Sequence, residues 1–246
     1  MIAGRRIVGD MKFALSICAI CMAVPAMADP VVVFAAASLK EPIDKIAAQM
    51  DDVVVSYGGS GALARQVMQG APADVVLLAN ADWMDTLIDA GLARAESNFA
   101  SNELVLIGVT GTPQMSLAEW AKTIGARKVA MGFTNAVPAG IYGKAALTNL
   151  DLWNGISGNV VAVDSARAVL ALVARGEVAF GVTYVTDAWT SDKVQIVATF
   201  APETHPKIRY VGAITNAAGH AFWDLTRGSV GQSILADAGF LPAAVR

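Results

Sequence analysis

The sequence has few charged residues and almost no cysteine. Charged side chains make up 16% of its 246 residues, and the two cysteines are Cys18 and Cys21. Both lie in an N-terminal segment that we expect to be removed. The remaining chain is therefore predicted to hold no disulfide, no thiolate nucleophile and no cysteine metal site.

The one long apolar run is too short to cross a membrane. It covers residues 13–24, whereas a spanning helix needs roughly 20 residues. Lys12 precedes the run, and Ala26–Ala28 follows it as a small-x-small cleavage signature. Together these features predict a cleavable secretory signal peptide over residues 1–28 and a periplasmic protein. The first ten residues read as an upstream extension of a chain that starts at Met11, which leaves the true start open.

Removal of residues 1–28 makes the chain more acidic. The basic residues fall from 18 to 15 and the acidic residues from 21 to 20, so the formal net charge changes from −3 to −5. The remaining sequence has no basic run. An acidic exported protein of this kind is not expected to bind nucleic acid or an anionic membrane.

From Val31 onward, short apolar runs alternate with amphipathic segments, which is typical of βαβ architecture. Val31–Phe34 and Val53–Tyr57 are predicted strands, and each is followed by a predicted helix. No element is predicted between the helix Ala81–Asp89 and the strand Glu103–Val109. The alternation restarts after the polar turn TGTPQ. We expect an α/β fold of two lobes with a cleft between them, mostly parallel sheets and helices on both sheet faces.

The restart of the pattern also predicts the domain limits. Lobe 1 is expected to combine residues 29–107 with 208–246, and lobe 2 to cover 108–207. Glu103–Val109 and Ile208–Ile214 are the candidate crossover strands. Ligands of such sheets bind outside the carboxyl ends of strands, so the strand–helix junctions are the places to search for a site.

Two of these junctions carry a serine. Ser38 follows the first predicted strand and Ser60 follows the second, after Gly58 and Gly59. Serine is a good helix cap, and a helix start also presents unpaired N–H groups to an anion. Gly58-x-Ser60 resembles the nucleophile elbow G-x-S-x-G, but Ala62 replaces its last glycine.

Two further junctions offer main-chain groups only. Pro138 is predicted in the first turn of a helix, where its missing N–H has no helical partner. The next N–H, on Ala139, then points out of the helix start. Asp164 and Ser165 are both predicted caps, with the N–H of Ala166 in the first turn that follows. A fifth junction ends in Tyr184, a position that in most proteins is a core or rim residue.

Four motifs in order carry a resemblance to a known family. They are AAASL at 35–39, SGALARQ with GAPAD at 60–74, VPAGIYG at 137–143 and GVTYVTDA at 181–188. The chain from about Val31 to its C-terminus resembles periplasmic molybdate-binding proteins, the solute receptors of molybdate ABC importers.

The resemblance implies a type II periplasmic-binding-protein fold with a tetrahedral oxyanion, molybdate or tungstate, in the cleft. Ser38 and Ser60 would each give a hydroxyl and a main-chain N–H, Ala139 and Ala166 main-chain N–H groups, and Tyr184 its hydroxyl. No cofactor and no directly coordinated metal are implied. The implied partner is a membrane permease with its ATPase, and the implied state is a monomer.

Two alternatives remain open at this stage. One is a receptor of the same fold for another oxyanion or a small organic acid, for which Arg65 and Arg167 are the nearest arginines in sequence. A serine hydrolase would need a base for Ser60, and nothing in the sequence ties His205 or His220 to it. We therefore expect a binding protein and not an enzyme.

Overall fold

In the computed structural model, which describes residues 1 and 29–243, ten strands form two five-stranded sheets. The predicted signal peptide lies outside the described residues, apart from Met1. The strands are β1 Val31–Ala36, β2 Val53–Gly58, β3 Val75–Leu78, β4 Arg94–Ala100, β5 Leu104–Val109, β6 Val129–Gly132, β7 Val160–Val163, β8 Phe180–Tyr184, β9 Val194–Thr199 and β10 Tyr210–Ile214.

Ten α-helices of the same described range cover the sheets. They are α1 Lys40–Ala47, α2 Ser60–Met68, α3 Ala81–Asp89, α4 Leu117–Thr123, α5 Pro138–Asn149, α6 Trp153–Ile156, α7 Ala166–Ala174, α8 Val185–Ala188, α9 His220–Arg227 and α10 Ser229–Asp237. Short 3-10 turns lie at Ala37–Leu39, Ser157–Asn159, Pro202–Thr204 and Ala217–Gly219. Among the described helices, none reaches the length and apolar content of a membrane span.

The two sheets have the same plan. The strand order is β2-β1-β3-β10-β4 in the first sheet and β7-β6-β8-β5-β9 in the second. The predicted two-lobed α/β fold is confirmed, but the sheets are mixed and not mostly parallel. Four strand pairings are parallel, and the four that involve β4, β5, β9 or β10 are antiparallel. Strands of opposite direction enter each sheet where the chain passes between the sheets.

We call each sheet with the helices packed on it a lobe: α1–α3, α9 and α10 lie in the first lobe, and α4–α8 in the second. All of β5 belongs to the second sheet, and β10 belongs to the first. The predicted lobe limits at 107/108 and 207/208 stay a prediction.

Strand β4 was not predicted. Its sequence, RAESNFA, contains no β-branched residue, and Phe99 is its one strand-favouring side chain, so intrinsic propensity gives little signal for a strand. It forms because it pairs antiparallel with β10, with irregular register near Val211 and Gly212. Tertiary pairing here outweighs local preference.

Apolar side chains fill both faces of each sheet. On one face of the first sheet, Phe34 and Val76 pack with Leu63 of α2 and Met84 of α3. On one face of the second sheet, Ile107 packs with residues of α7. The other faces share a single buried cluster that includes two fully buried tyrosines, Tyr184 and Tyr210. This cluster continues from one lobe into the other and supports the floor of the cleft.

Candidate ligand-binding site

The five residues singled out from the sequence line one cavity between the lobes. Its volume is about 220 Å³, a figure that includes its open mouth. The remaining lining residues are small or apolar: Ala36, Ala37, Gly58, Gly59, Ala79, Val137 and Pro138. None of the lining residues carries a charge.

The first lobe contributes the two serines. Ser38 lies in the 3-10 turn between β1 and α1, and Ser60 is the first residue of α2, directly after β2 and Gly59. Their exposed fractions are 3% and 1%. Because β1 and β2 are parallel neighbours with Ala36 opposite Gly58, both junctions lie at the same edge of the sheet.

The second lobe contributes the other three residues in the same manner. Ala139 lies in the first turn of α5, Ala166 is the first residue of α7, and Tyr184 is the last residue of β8. First-turn N–H groups have no partner inside their helix, so α5 and α7 begin with free donors at the cavity wall. The predicted helix start at Pro138 is confirmed.

Of the three serines at these junctions, one acts as a helix cap and two do not. Ser165 caps α7, because its hydroxyl accepts a hydrogen bond from the N–H of Ala168 at 3.2 Å. Ser38 and Ser60 make no capping hydrogen bond. Helix capping, one of the two roles that the sequence offered for these serines, is therefore not observed. Their hydroxyls are held by long-range contacts instead.

The main chain directly after β3 holds the Ser60 hydroxyl in place. Its Oγ accepts a hydrogen bond from the N–H of Ala79, just after β3, at 3.0 Å. A backbone N–H can only donate, so the Ser60 hydroxyl proton points elsewhere. His205 contacts the carbonyl oxygen of Pro206 through Nδ1 at 2.8 Å. The Ser60 proton is therefore free to be donated to a ligand, and His205 contacts Pro206 and not Ser60.

The hydroxyl of Tyr184 is buried and has no hydrogen-bond partner among the described residues. Only 1% of this residue is exposed. Burial raises the pKa of the Tyr184 phenol well above its ordinary value of 10.0, so the group keeps its proton. An unsatisfied buried donor is costly in a folded protein, and this one lies in the wall of the cavity.

Several contacts join the lobes around the cavity. The indole N–H of Trp83 donates to the carbonyl of Ala136 at 3.0 Å, and the Tyr142 hydroxyl donates to the carbonyl of Ala79 at 3.4 Å. A Cβ atom added to Gly59 would lie 2.2 Å from the carbonyl oxygen of Asp164. The lobes therefore approach more closely here than any side chain at position 59 permits.

The two candidate arginines do not line the cavity. Arg65 lies over the ring of Trp83, with its guanidinium carbon 5.6 Å from the ring centroid. Arg167 pairs with Glu41 and with Asp187. A carboxylate ligand is commonly held by a free arginine, and both of these are engaged elsewhere.

Comparison with known proteins places the chain in a family. Residues 31–241 match the family described as bacterial extracellular solute-binding protein. The chain belongs to that family. Among the described residues of this solute-binding protein, no group of three or more histidine, cysteine or acidic side chains is placed to hold a metal ion.

Relatives with named ligands are similar over most of this solute-binding protein. The molybdate-binding protein ModA of Escherichia coli is 35% identical over 226 residues, which cover 85% of this chain and 88% of that protein. Among solved structures, the substrate-binding domain of a putative molybdenum ABC transporter from Clostridium difficile is 29% identical, with a TM-score of 0.66 over 88% of this chain and 100% of that chain. The periplasmic molybdate-binding protein of Azotobacter vinelandii has the same fold, with a TM-score of 0.79 at 20% identity, over 87% of this chain and 100% of that chain.

Sequence reasoning missed one residue that holds the site of this solute-binding protein together. Ala79 follows β3, the strand next to β1, and its N–H fixes the Ser60 hydroxyl. The same rule that marked the other junctions applies to it, since the carboxyl ends of parallel strands meet at one sheet edge.

Proposed function

We propose that this protein binds molybdate and tungstate in the periplasm and delivers them to the membrane permease of an ABC importer. The observation that carries the proposal is the buried hydroxyl of Tyr184, which has no hydrogen-bond partner in the described part of the chain. It lies in an uncharged cavity that Ser38, Ser60, Ala139 and Ala166 also line. All five residues offer hydrogen-bond donors, and a fully deprotonated tetrahedral oxyanion offers only acceptors. The molybdate ligand of the similar E. coli protein supports the same choice.

Helix starts supply the positive potential that charged side chains do not. Helices α2, α5 and α7 begin at the cavity, and α1 follows the 3-10 turn that holds Ser38. Each helix start is equivalent to about half a positive charge. Four such starts nominally offset a dianion without any lysine or arginine.

The donors are numerous enough for tight binding. Two hydroxyl and N–H pairs from the serines, two N–H groups from the alanines and one phenol make about seven donors. A hydrogen bond to a charged group contributes roughly 1.5–3 kcal/mol. Seven such bonds give about 10–20 kcal/mol before association costs, and this range is compatible with micromolar to nanomolar affinity after those costs are subtracted.

The donor set also favours some oxyanions over others. Phosphate carries a proton near neutral pH and needs an acceptor, and the five proposed ligand residues offer only hydroxyl oxygens for that role. The Ser60 oxygen already accepts from the N–H of Ala79. We therefore expect phosphate to bind far more weakly than molybdate. Tungstate has the same shape and charge as molybdate and is expected to bind alike.

Delivery follows from the two-lobed shape. Binding is expected to close the lobes on the ion, and the permease, with its ATPase, would take the closed form of a monomer after cleavage of the predicted signal peptide. No cofactor and no catalytic step belong to this proposal. X-ray scattering of the protein with and without saturating molybdate tests closure, and an unchanged radius of gyration would contradict it.

Calorimetric titration tests the ligand. The exported protein, dialysed free of oxyanions, is titrated with molybdate, tungstate, sulfate and phosphate. Sub-micromolar binding of the first two, with little heat from phosphate, is the expected result. Tighter binding of sulfate or of a small organic acid would identify a receptor of the same fold for another ligand. Hydrolysis of a generic ester that is lost in Ser60→Ala would indicate an enzyme instead.

A further inference from the structure

A buried tyrosine outside the cavity lining is hydrogen-bonded to Ser38. The Tyr210 hydroxyl lies 2.9 Å from Ser38 Oγ, and Tyr210 is fully buried. Its ring makes edge contacts with Tyr184 and Phe240, at centroid distances of 5.8 and 5.2 Å. These contacts fix the ring on strand β10. Either hydroxyl could be the donor on the distance alone, so the direction must come from the groups behind Tyr210.

Asn102 determines that direction. This residue lies between β4 and β5, where the chain passes from the first sheet to the second. Its Oδ1 accepts a hydrogen bond from the N–H of Glu103 at 2.9 Å. A main-chain N–H can only donate, which assigns the other end of the amide as the NH₂ group. That NH₂ group donates to Thr186 Oγ1 at 2.8 Å and to the Tyr210 hydroxyl at 3.4 Å.

The directions of the Tyr210 and Ser38 hydroxyl protons follow from this assignment. Tyr210 accepts from Asn102, so its own proton is directed to its other partner, the oxygen of Ser38. Burial raises the pKa of Tyr210 well above its ordinary value, and the phenol keeps that proton. Ser38 accepts from Tyr210, so its own hydroxyl proton points away from Tyr210 and is available to a ligand in the cavity that Ser38 lines.

We propose that Asn102 and Tyr210 are positioning residues that set Ser38 as a hydrogen-bond donor and thereby select against protonated oxyanions. The inference rests on the proposed function. We call the series of hydrogen bonds from Asn102 through Tyr210 to Ser38 the relay. Without the relay, a serine hydroxyl rotates freely and serves a protonated ligand as an acceptor. Ser60 is oriented in the same sense by the N–H of Ala79. Both serines accept from the protein and donate to the ligand.

Tyr210→Phe tests the relay, because it removes the donated proton and keeps the ring. We expect molybdate and tungstate affinities to fall together by about three- to tenfold. Displacement of bound tungstate by inorganic phosphate should become easier, so that the molybdate-to-phosphate affinity ratio falls about tenfold or more. This gain for phosphate should grow as the pH is lowered and phosphate takes up a further proton. A general loosening of the site would weaken all three anions alike and would overturn the proposal.

A double-mutant cycle with Ser38→Ala separates a relay from a packing effect. If Tyr210 acts through Ser38, Tyr210→Phe changes molybdate affinity in the wild-type background and has no further effect in Ser38→Ala. Additive losses would overturn the proposal. Asn102→Ala leaves the Tyr210 ring in place, and we expect the same shift in selectivity from it. This second variant decides the matter if Tyr210→Phe does not fold.

Titration of the wild-type protein distinguishes failure of the relay from failure of the proposed function. If the wild-type protein binds molybdate and the variants keep its selectivity against phosphate, the relay is wrong and the proposed function stands. If the wild-type protein binds none of the three anions, the proposed function fails and the relay fails with it.

Discussion

Arg167, the second residue of α7, forms an ion pair with Glu41, the second residue of α1, and the pair joins the two lobes. The same guanidinium lies 2.8 Å from the carboxylate of Asp187. Asp187 is fully buried, whereas 41% of the Glu41 side chain is exposed. Arg167 therefore compensates a buried charge within its own lobe and a solvated one in the other lobe.

We expect Arg167→Ala to destabilise the protein by about 3–5 kcal/mol, because it leaves the Asp187 carboxylate buried without a countercharge. Burial raises the pKa of Asp187, and Arg167 opposes that shift. In the variant the folded-state pKa rises further above the unfolded value. Stability is therefore least affected in acid and is lost as the pH rises through the folded-state pKa. Urea unfolding at several pH values measures the effect.

Arg175→Ala is the matched control for this variant. Arg175 pairs with Glu177, and more than half of each side chain is exposed. Its removal should leave the unfolding midpoint unchanged. Asp187→Asn combined with Arg167→Ala should recover most of the lost stability. Equal losses from both arginine variants would contradict the compensating role of Arg167.

Tyr184→Phe should move ligand affinity and stability in opposite directions. The phenol has no partner among the described residues, so its removal eliminates an unsatisfied buried group and leaves stability unchanged or about 1 kcal/mol higher. Loss of a hydrogen bond to a charged ligand costs roughly 1.5–3 kcal/mol, or about ten- to a hundredfold in molybdate affinity. Calorimetry and urea unfolding measure the two quantities. A variant that lost stability and kept its affinity would show that Tyr184 is only a core residue.

Gly59→Ala tests whether the lobes must approach at the cavity. Gly59 has φ −69° and ψ 137°, which any residue adopts, so the only obstacle to a methyl group is the Asp164 carbonyl across the cleft. We expect normal folding, no compaction on ligand addition in X-ray scattering, and affinity lower by about ten- to a hundredfold, from a clash of about 1–3 kcal/mol.

Gly155→Ala is the control for the glycine variant. Gly155 lies in α6, and an added Cβ would meet no atom within 4 Å. Affinity and scattering should match those of the wild-type protein, and stability should be unchanged or higher by up to about 1 kcal/mol. Normal closure and affinity in Gly59→Ala would show that the close approach of the lobes is not needed for binding.

Alkaline pH should unfold the protein through its tyrosines. All four have a raised pKa, and burial is the largest cause in each case; the pKa of Tyr142 is raised to about 12. Above the ordinary value of 10.0 the unfolded chain releases phenolic protons that the folded protein retains. Stability is therefore unaffected below that pH and falls as the pH rises toward 12. Phenolate absorbance should appear together with the loss of circular dichroism, and phenolate in a folded protein would contradict this.

Much of the site could be predicted because its residues follow parallel strands. A short apolar run that ends in a small or polar residue is a local pattern, and Ser38, Ser60 and Ala166 all stand after such runs. The fold of two α/β units was readable for the same reason. The family resemblance then assigned each junction a donor.

The rest depends on contacts that no local pattern contains. Strand β4 exists because β10 pairs with it, and these strands are far apart in sequence. The contact of the Ser38 hydroxyl with Tyr210 was not predicted, because the two residues lie 172 positions apart in the sequence. Asn102 likewise stands in a segment with no predicted element. A polar side chain within an apolar predicted strand, as at Tyr210, is the local signal that sequence reasoning did not use.

The uncharged lining of the cavity affects how the ion is released. The cavity wall is shared by two lobes, and none of its residues carries a full charge. The attraction of hydrogen-bond dipoles fades with distance more steeply than that between full charges. When the lobes separate, each lobe keeps only some of the hydrogen-bond donors. Neither lobe has a charged residue in the cavity wall that would hold the ion. Binding and release then depend on the same motion of the lobes in opposite directions. A transporter that opens the lobes does not need to bind the ion more tightly than the cavity does.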